Sequence, residues 1–155
     1  MSIERIQLPD QHYLYVDREA AADGSDIADA MGSGFGEVFA FVDQHGIETL
    51  SMPAAIYVDM PSPDGMFFRL GFFIKPADVA AAAGTIKAGI IPQGETYKAV
   101  HVGPYPQLHQ THQAIWKQMD DDGVERGRPV WEVYIDDPME TDPASLRTEV
   151  FRAVG

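Results

Sequence analysis

The chain has 155 residues, 45% of them hydrophobic and 10% aromatic, which suits one packed domain over residues 1–155 and excludes a disordered chain. Its 11 Lys and Arg against 24 Asp and Glu give a formal net charge of -13, a surface that repels phosphates and anionic lipid, so no nucleic-acid or membrane partner is expected. Cysteine is absent, which removes disulfides, thiolate catalysis and zinc–thiolate sites.

Taken in order, residues 12–20 are partly aromatic and β-branched and read as a first strand. Residues 25–31 read as a short helix that Gly32-Ser33-Gly34 breaks. Phe35, Val38, Phe39 and Val42 then recur at the spacing of one apolar helix face, and Gly46 stops that helix. Residues 54–60 read as a strand, 61–65 as a turn, and 66–74 as the second strand of a hairpin. Residues 78–83 are an Ala-rich helical connection ended by Gly84. A strand over 96–102, a turn at Gly103-Pro104-Tyr105-Pro106 and a helix over 107–121 follow, with Leu108, Ile115, Trp116 and Met119 on one side. Strands over 129–137 and 147–154 complete the chain.

These events repeat. A shift of 77 residues lays Val38 on Ile115, Phe39 on Trp116, Val42 on Met119, Gly46 on Gly123, Tyr57 on Tyr134, Asp59 on Asp136 and Pro61 on Pro138. The expectation is an α+β domain built from a duplicated strand–helix–strand–strand unit, over about 12–75 and 96–154. Neither copy can bury its sheet face alone, and the junction between copies is a natural place for a pocket.

Strand alternation in the second copy puts Trp131, Val133 and Ile135 on one face and Glu132, Tyr134 and Asp136 on the other. The equivalent of Glu132 in the first copy is Ala55. A mid-strand glutamate is either solvated on an open face or is the floor of a pocket. In the second case Tyr57, Tyr97, Tyr105 and Tyr134 would supply walls whose faces favour a cation. His101-Val102-Gly103-Pro104-Tyr105 presents Tyr105 at a helix start beside the cleft, or is a structural turn with a packing tyrosine. His109 and His112 stand three apart on a helix but lack a carboxylate at a matching offset, so they read as a polar helix face rather than a metal site. No histidine carries a haem-attachment motif, and Gly32-Ser33-Gly34-Phe35-Gly36 lacks the Lys-Ser/Thr of a phosphate loop. No cofactor is expected. With no apolar run near the roughly 20 residues of a membrane span and no signal-peptide core after Met1, a cytoplasmic location is the expectation.

The string His101-x-Gly103-Pro104-Tyr105, with Leu108 beyond it, a helix carrying Trp116, then Trp131-Glu132-Val133-Tyr134-x-Asp136-x-Pro138, resembles the GyrI-like small-molecule-binding domain. That domain also forms the effector-binding part of multidrug-sensing bacterial transcription activators. The motifs lie within residues 96–154, and the duplicated topology extends the likeness along the chain. The resemblance implies an antiparallel eight-stranded sheet with two main helices, and a central cleft for lipophilic, often cationic, aromatic compounds. It implies that Glu132 is the pocket glutamate and that Tyr105, Trp116, Trp131 and Tyr134 are pocket aromatics. With no helix-turn-helix ahead of the domain, a stand-alone binding protein is the first reading. A hydrolase of reactive lipophilic compounds, with Glu132 as general base, is the second. An acidic inhibitor-type module with a protein partner is the third.

Overall fold

The computed structural model describes residues 2–21, 25–59 and 65–155. Among the described residues there are eight strands: β1 (Ile3–Leu8), β2 (Gln11–Ala20), β3 (Ala54–Tyr57), β4 (Met66–Ile74), β5 (Lys87–Ile91), β6 (Gly94–Val102), β7 (Arg126–Tyr134) and β8 (Arg147–Val154). They form one antiparallel sheet in the order β1-β6-β8-β7-β3-β4-β2-β5. Two helices, α1 (Ile27–Gln44) and α2 (Leu108–Asp121), complete the α+β fold.

The connections force the sheet to curl. β1 and β2 lie six strand spacings apart, about 29 Å in a flat sheet. Only Pro9 and Asp10 join them, and such a link reaches roughly 10 Å. β5 and β6 are separated in the same way and joined by Pro92 and Gln93. The two links meet, since the Gln93 backbone N–H donates to Asp10 Oδ1 at 2.6 Å. The sheet therefore wraps round, and both its faces are buried. The inside of the curl holds Tyr13, Tyr15, Ala54, Ile56, Phe73, Ile91, Trp131, Val133 and Phe151. The outside packs against both helices through Leu14, Val16, Ala55, Leu70, Ala99 and Val150 with Val38, Val42, Leu108, Ile115 and Met119.

Several local expectations are revised. Gly32-Ser33-Gly34 does not break a helix: α1 runs through it. Gly34 is buried where a Cβ would sit 2.5 Å from Leu70 Cδ1, so its role is close helix-to-sheet packing, and that burial outweighs the helix cost of glycine, about 1 kcal/mol. β1 and β5 were not assigned from pattern, so each repeat starts one strand earlier than 12 and 96. β3 ends at Tyr57, and β7 runs from Arg126 to Tyr134 instead of ending at Asp137. The Ala-rich connection is a 3-10 helix over Pro76–Ala81. Met60 and the turn at 61–64 lie outside the described residues.

The duplication is clear in the strand order: exchanging each strand for its counterpart four places on in sequence returns the same order read from the opposite edge. Both helices end at a glycine in the left-handed region, Gly46 at φ 64° and Gly123 at φ 71°. Ala55 is the direct cross-strand partner of Glu132, and the two are 77 residues apart. A position paired with its own counterpart must lie on the two-fold axis relating the copies. The flanking pair Ile56–Trp131 is the image of Ala54–Val133, as that axis requires. The shift is not uniform. It is 83 between Val16 and Ala99, which occupy matching places in the row through Ala55 and Glu132.

Candidate functional site

The axis leaves the sheet on its helix side at Glu132, in the centre of the eight strands. Glu132 is 5% exposed. Removing a carboxylate from water costs several kcal/mol unless hydrogen bonds replace the solvent. Two do: the Tyr134 hydroxyl donates to Oε1 at 2.7 Å, and His112 Nε2 lies 2.7 Å from Oε2. An ionised carboxylate only accepts, so the hydrogen on that bond belongs to His112 Nε2.

Strand geometry places the tyrosine. Tyr134 is two residues from Glu132 on β7, so both face the helices. Tyr57 of β3 is its counterpart across the axis, and the two hydroxyls interact. Burial first, and the Glu132 charge second, hold both phenols above the ordinary tyrosine range. Tyr105, in the 3-10 turn that leads into α2, sets its ring 5.5 Å from that of Tyr134 at 61°. Phe35 of α1 also meets the Tyr134 ring, at 5.9 Å and 70°. Glu132 thus has an aromatic wall made from both copies.

The remaining expected residues are placed differently. Trp116 lies one helical turn beyond His112, with ring centres 6.4 Å apart, and so borders the site through that histidine. Tyr97 is 1% exposed and faces the helices, but its hydroxyl donates to Asp122 at 2.5 Å, beyond the C-terminal end of α2. It does not join the cluster. Neither does Trp131. It lies inside the curl, 1% exposed and stacked on Phe151 at 5.0 Å and 4°, because strand alternation sends it to the opposite face from Glu132. Asp136 lies past the end of β7, where its carboxylate is gripped by Arg147 through Nε and Nη2, both at 2.9 Å.

Two residues of the site were not picked out from the sequence. Phe35 was read only as helix core. His112 reads from spacing as polar helix surface with His109, but the two part: His109 Nδ1 meets the Pro106 carbonyl while His112 turns to the sheet. The signal was present. His112 is four residues after Leu108 and three before Ile115, so it rides the edge of the buried stripe of α2. Among the described residues no group of three His, Asp or Glu side chains is placed to hold a metal ion.

A cavity of about 500 Å³ lies elsewhere, at the mouth of the curl, and is lined in part by Pro9, Leu50, Met52, Trp131, Ile135 and Phe151. Its lining does not include Glu132. Around the carboxylate, Phe35 and Tyr105 pack against the Tyr134 ring and His112 bonds Glu132 itself.

A duplicated, curled eight-stranded sheet with a glutamate on its axis is a specific arrangement, and comparison with known families bears on it directly. The model of the GyrI-like small molecule binding domain matches residues 1–154. The chain belongs to the GyrI-like family. No curated protein matches it. Among solved structures, this GyrI-like chain resembles the EcmrR C-terminal domain, with a TM-score of 0.72 at 17% identity over 99% of this chain and 97% of the other. It also resembles SAV2435 bound to tetraphenylphosphonium, with a TM-score of 0.70 at 14% identity over 100% and 94% of the two chains. A hydrolase from Listeria innocua has a TM-score of 0.66 at 18% identity over 99% and 91%. At these identities the likeness establishes the fold. No helix among the described residues is long and apolar enough to cross a membrane.

Proposed function

We propose that this small-molecule-binding domain takes a lipophilic cation against Glu132, between the rings of Tyr57, Tyr105, Tyr134 and Phe35. The observation that carries the reading is the buried carboxylate on the axis, with its two hydrogen bonds and aromatic surroundings. Without a ligand, His112 satisfies the charge. A cation with an apolar body replaces it, and the rings present their electron-rich faces to the same charge. The SAV2435 structure, which holds tetraphenylphosphonium in the same fold, supports this ligand class. The test is calorimetry with tetraphenylphosphonium and with neutral triphenylphosphine oxide. The cation should bind in preference to the neutral compound, and Glu132→Gln should remove that preference. Equal binding of both by the native chain would refute the charge role.

A second reading rests on the 2.7 Å contact between His112 and Glu132. An imidazole and a carboxylate so placed can take a proton from water and hand it on, which is the equipment of a hydrolase acting on an activated apolar compound. Turnover of an ester or epoxide panel that disappears in Glu132→Gln while binding persists is the expected result under this reading. No turnover across the panel excludes it.

A further inference from the structure

One cluster on the helix side touches the site above only through Trp116, beside His112. Arg152 of β8 is 6% exposed and faces α2, in the row that contains Tyr97 and Val130. It makes no ion pair and no hydrogen bond among the described residues, and its Nε is buried without a partner. Its guanidinium lies over the Trp116 ring, 5.6 Å from the centre, and that of Arg126 lies 5.4 Å from the same centre. The Trp116 Nε1–H is also buried without a partner. Arg126 and Arg128 have exposed carboxylates of their own, Asp120 at 2.6 Å and Asp59 at 3.5 Å. Arg152 has none.

A buried guanidinium without a counter-charge is costly, and one aromatic face offsets only about 2 kcal/mol of that cost. Guanidinium and indole N–H groups can only donate, so the missing partner must accept. Water would accept but bring no charge, while three arginines gather here in a chain of net charge -13. Like charge from Arg126 and Arg128, after burial, disfavours the cationic form of Arg152, which an anion would reverse. The floor is buried and the rim is open, since Arg126 and Arg128 side chains are 41% and 56% exposed.

We propose that Arg152, Trp116, Arg126 and Arg128 form a binding subsite for a small oxyanion, held by the Arg152 fork and the Trp116 N–H. The subsite does not require cation binding at Glu132, although Trp116 borders that site through His112. It is tested in the full chain by titrating acetate, benzoate and inorganic phosphate at constant ionic strength against a chloride control. Trp116 fluorescence is the readout in a Trp131→Phe background, and calorimetry is the readout in the native chain. At least one of the three should saturate, with carboxylate or phosphate identified by which does. Affinity should fall at least tenfold in Arg152→Gln, and also in the exposed double variant Arg126→Gln/Arg128→Gln, which leaves the buried floor in place. Arg152→Lys keeps the charge but loses the fork, and should bind less tightly than native. If no oxyanion saturates the native chain, or if both glutamine variants bind as native does, the proposal fails.

Discussion

Phe35 of α1 and His112 of α2 occupy the same place in the two copies, 77 residues apart, and both reach the same strand. The Phe35 ring meets Tyr134, and the His112 imidazole meets Glu132. Across the axis, therefore, two of the differences between the copies meet: Ala55 against Glu132, and Phe35 against His112. Both polar members belong to the second copy and bond to each other. The asymmetry is a matched pair, an acceptor together with its donor, set beside the Tyr57 and Tyr134 hydroxyls that the two copies share.

The matched pair can be taken apart. His112→Phe restores the first copy's residue but leaves the buried carboxylate with one hydrogen bond fewer. Stability should fall by about 1–3 kcal/mol, the cost of an unsatisfied buried group. Glu132→Ala/His112→Phe removes both and leaves the Tyr57 and Tyr134 hydroxyls to bond each other. Replacing a buried polar pair with apolar groups is commonly neutral or stabilising, so the double variant should unfold at or above the native midpoint. Urea unfolding of the three proteins checks this. A double variant less stable than His112→Phe would show that the pair supports the fold itself. Under the proposed function, tetraphenylphosphonium should stabilise His112→Phe more than native, because no imidazole competes for the carboxylate.

Much of the fold was legible because period and punctuation agreed. Val38 and Val42 matched Ile115 and Met119, and the glycines ending the two helices matched as well. Two strands were missed for physical reasons. β5 reads Lys-Ala-Gly-Ile-Ile, with weak alternation because it lies at an edge. β1 alternates poorly because it is mostly half-exposed at the other edge. Glu132, Tyr134 and Tyr57 are legible as one group because alternation and the repeat fix their faces, and Tyr105 joins them through the Gly103-Pro104 turn ahead of α2. Tyr97 shares their face but not their neighbourhood, since pattern gives the side of a sheet and not the distance along it. Trp131 was named through resemblance although alternation had already placed it on the other face.

Glycine identity at two positions should have opposite effects. Gly71 lies in β4 where the curl brings β2 very close. A Cβ there would fall onto the Leu14 carbonyl oxygen, 2.8 Å from Leu14 C and 2.9 Å from Tyr15 Cα. These are backbone atoms in the middle of a sheet and cannot move aside singly. Gly71→Ala should cost about 3 kcal/mol or more, or prevent folding. Gly36 lies on the exposed side of α1 with nothing within 4 Å of its Cβ position. Gly36→Ala should stabilise by about 1 kcal/mol, the helix-propensity difference. Chemical denaturation of the two variants reads both signs. A Gly71→Ala protein of native stability would contradict the tight coiling of β4 against β2.

The tyrosines at the axis make a prediction about alkaline pH. Burial first, then the Glu132 charge, raises Tyr57 and Tyr134 above the ordinary value of 10.0, and burial followed by Asp136 and Asp137 raises Tyr105. In the unfolded chain these phenols ionise near 10, while in the folded chain they keep their protons to higher pH. Between those values the native state binds more protons than the unfolded one, so stability falls as pH rises. Their contribution is fully present below about pH 10 and is lost progressively above it. Ultraviolet phenolate titration of the native chain should therefore show late-ionising groups, with unfolding following their ionisation. Glu132→Gln removes the second cause at Tyr57 and Tyr134 and should bring those two down in pH. Tyr105, where Glu132 is the least of the named causes, should move little. A phenolate titration unchanged by Glu132→Gln would mean that the carboxylate and the two hydroxyls are not electrostatically coupled across the axis.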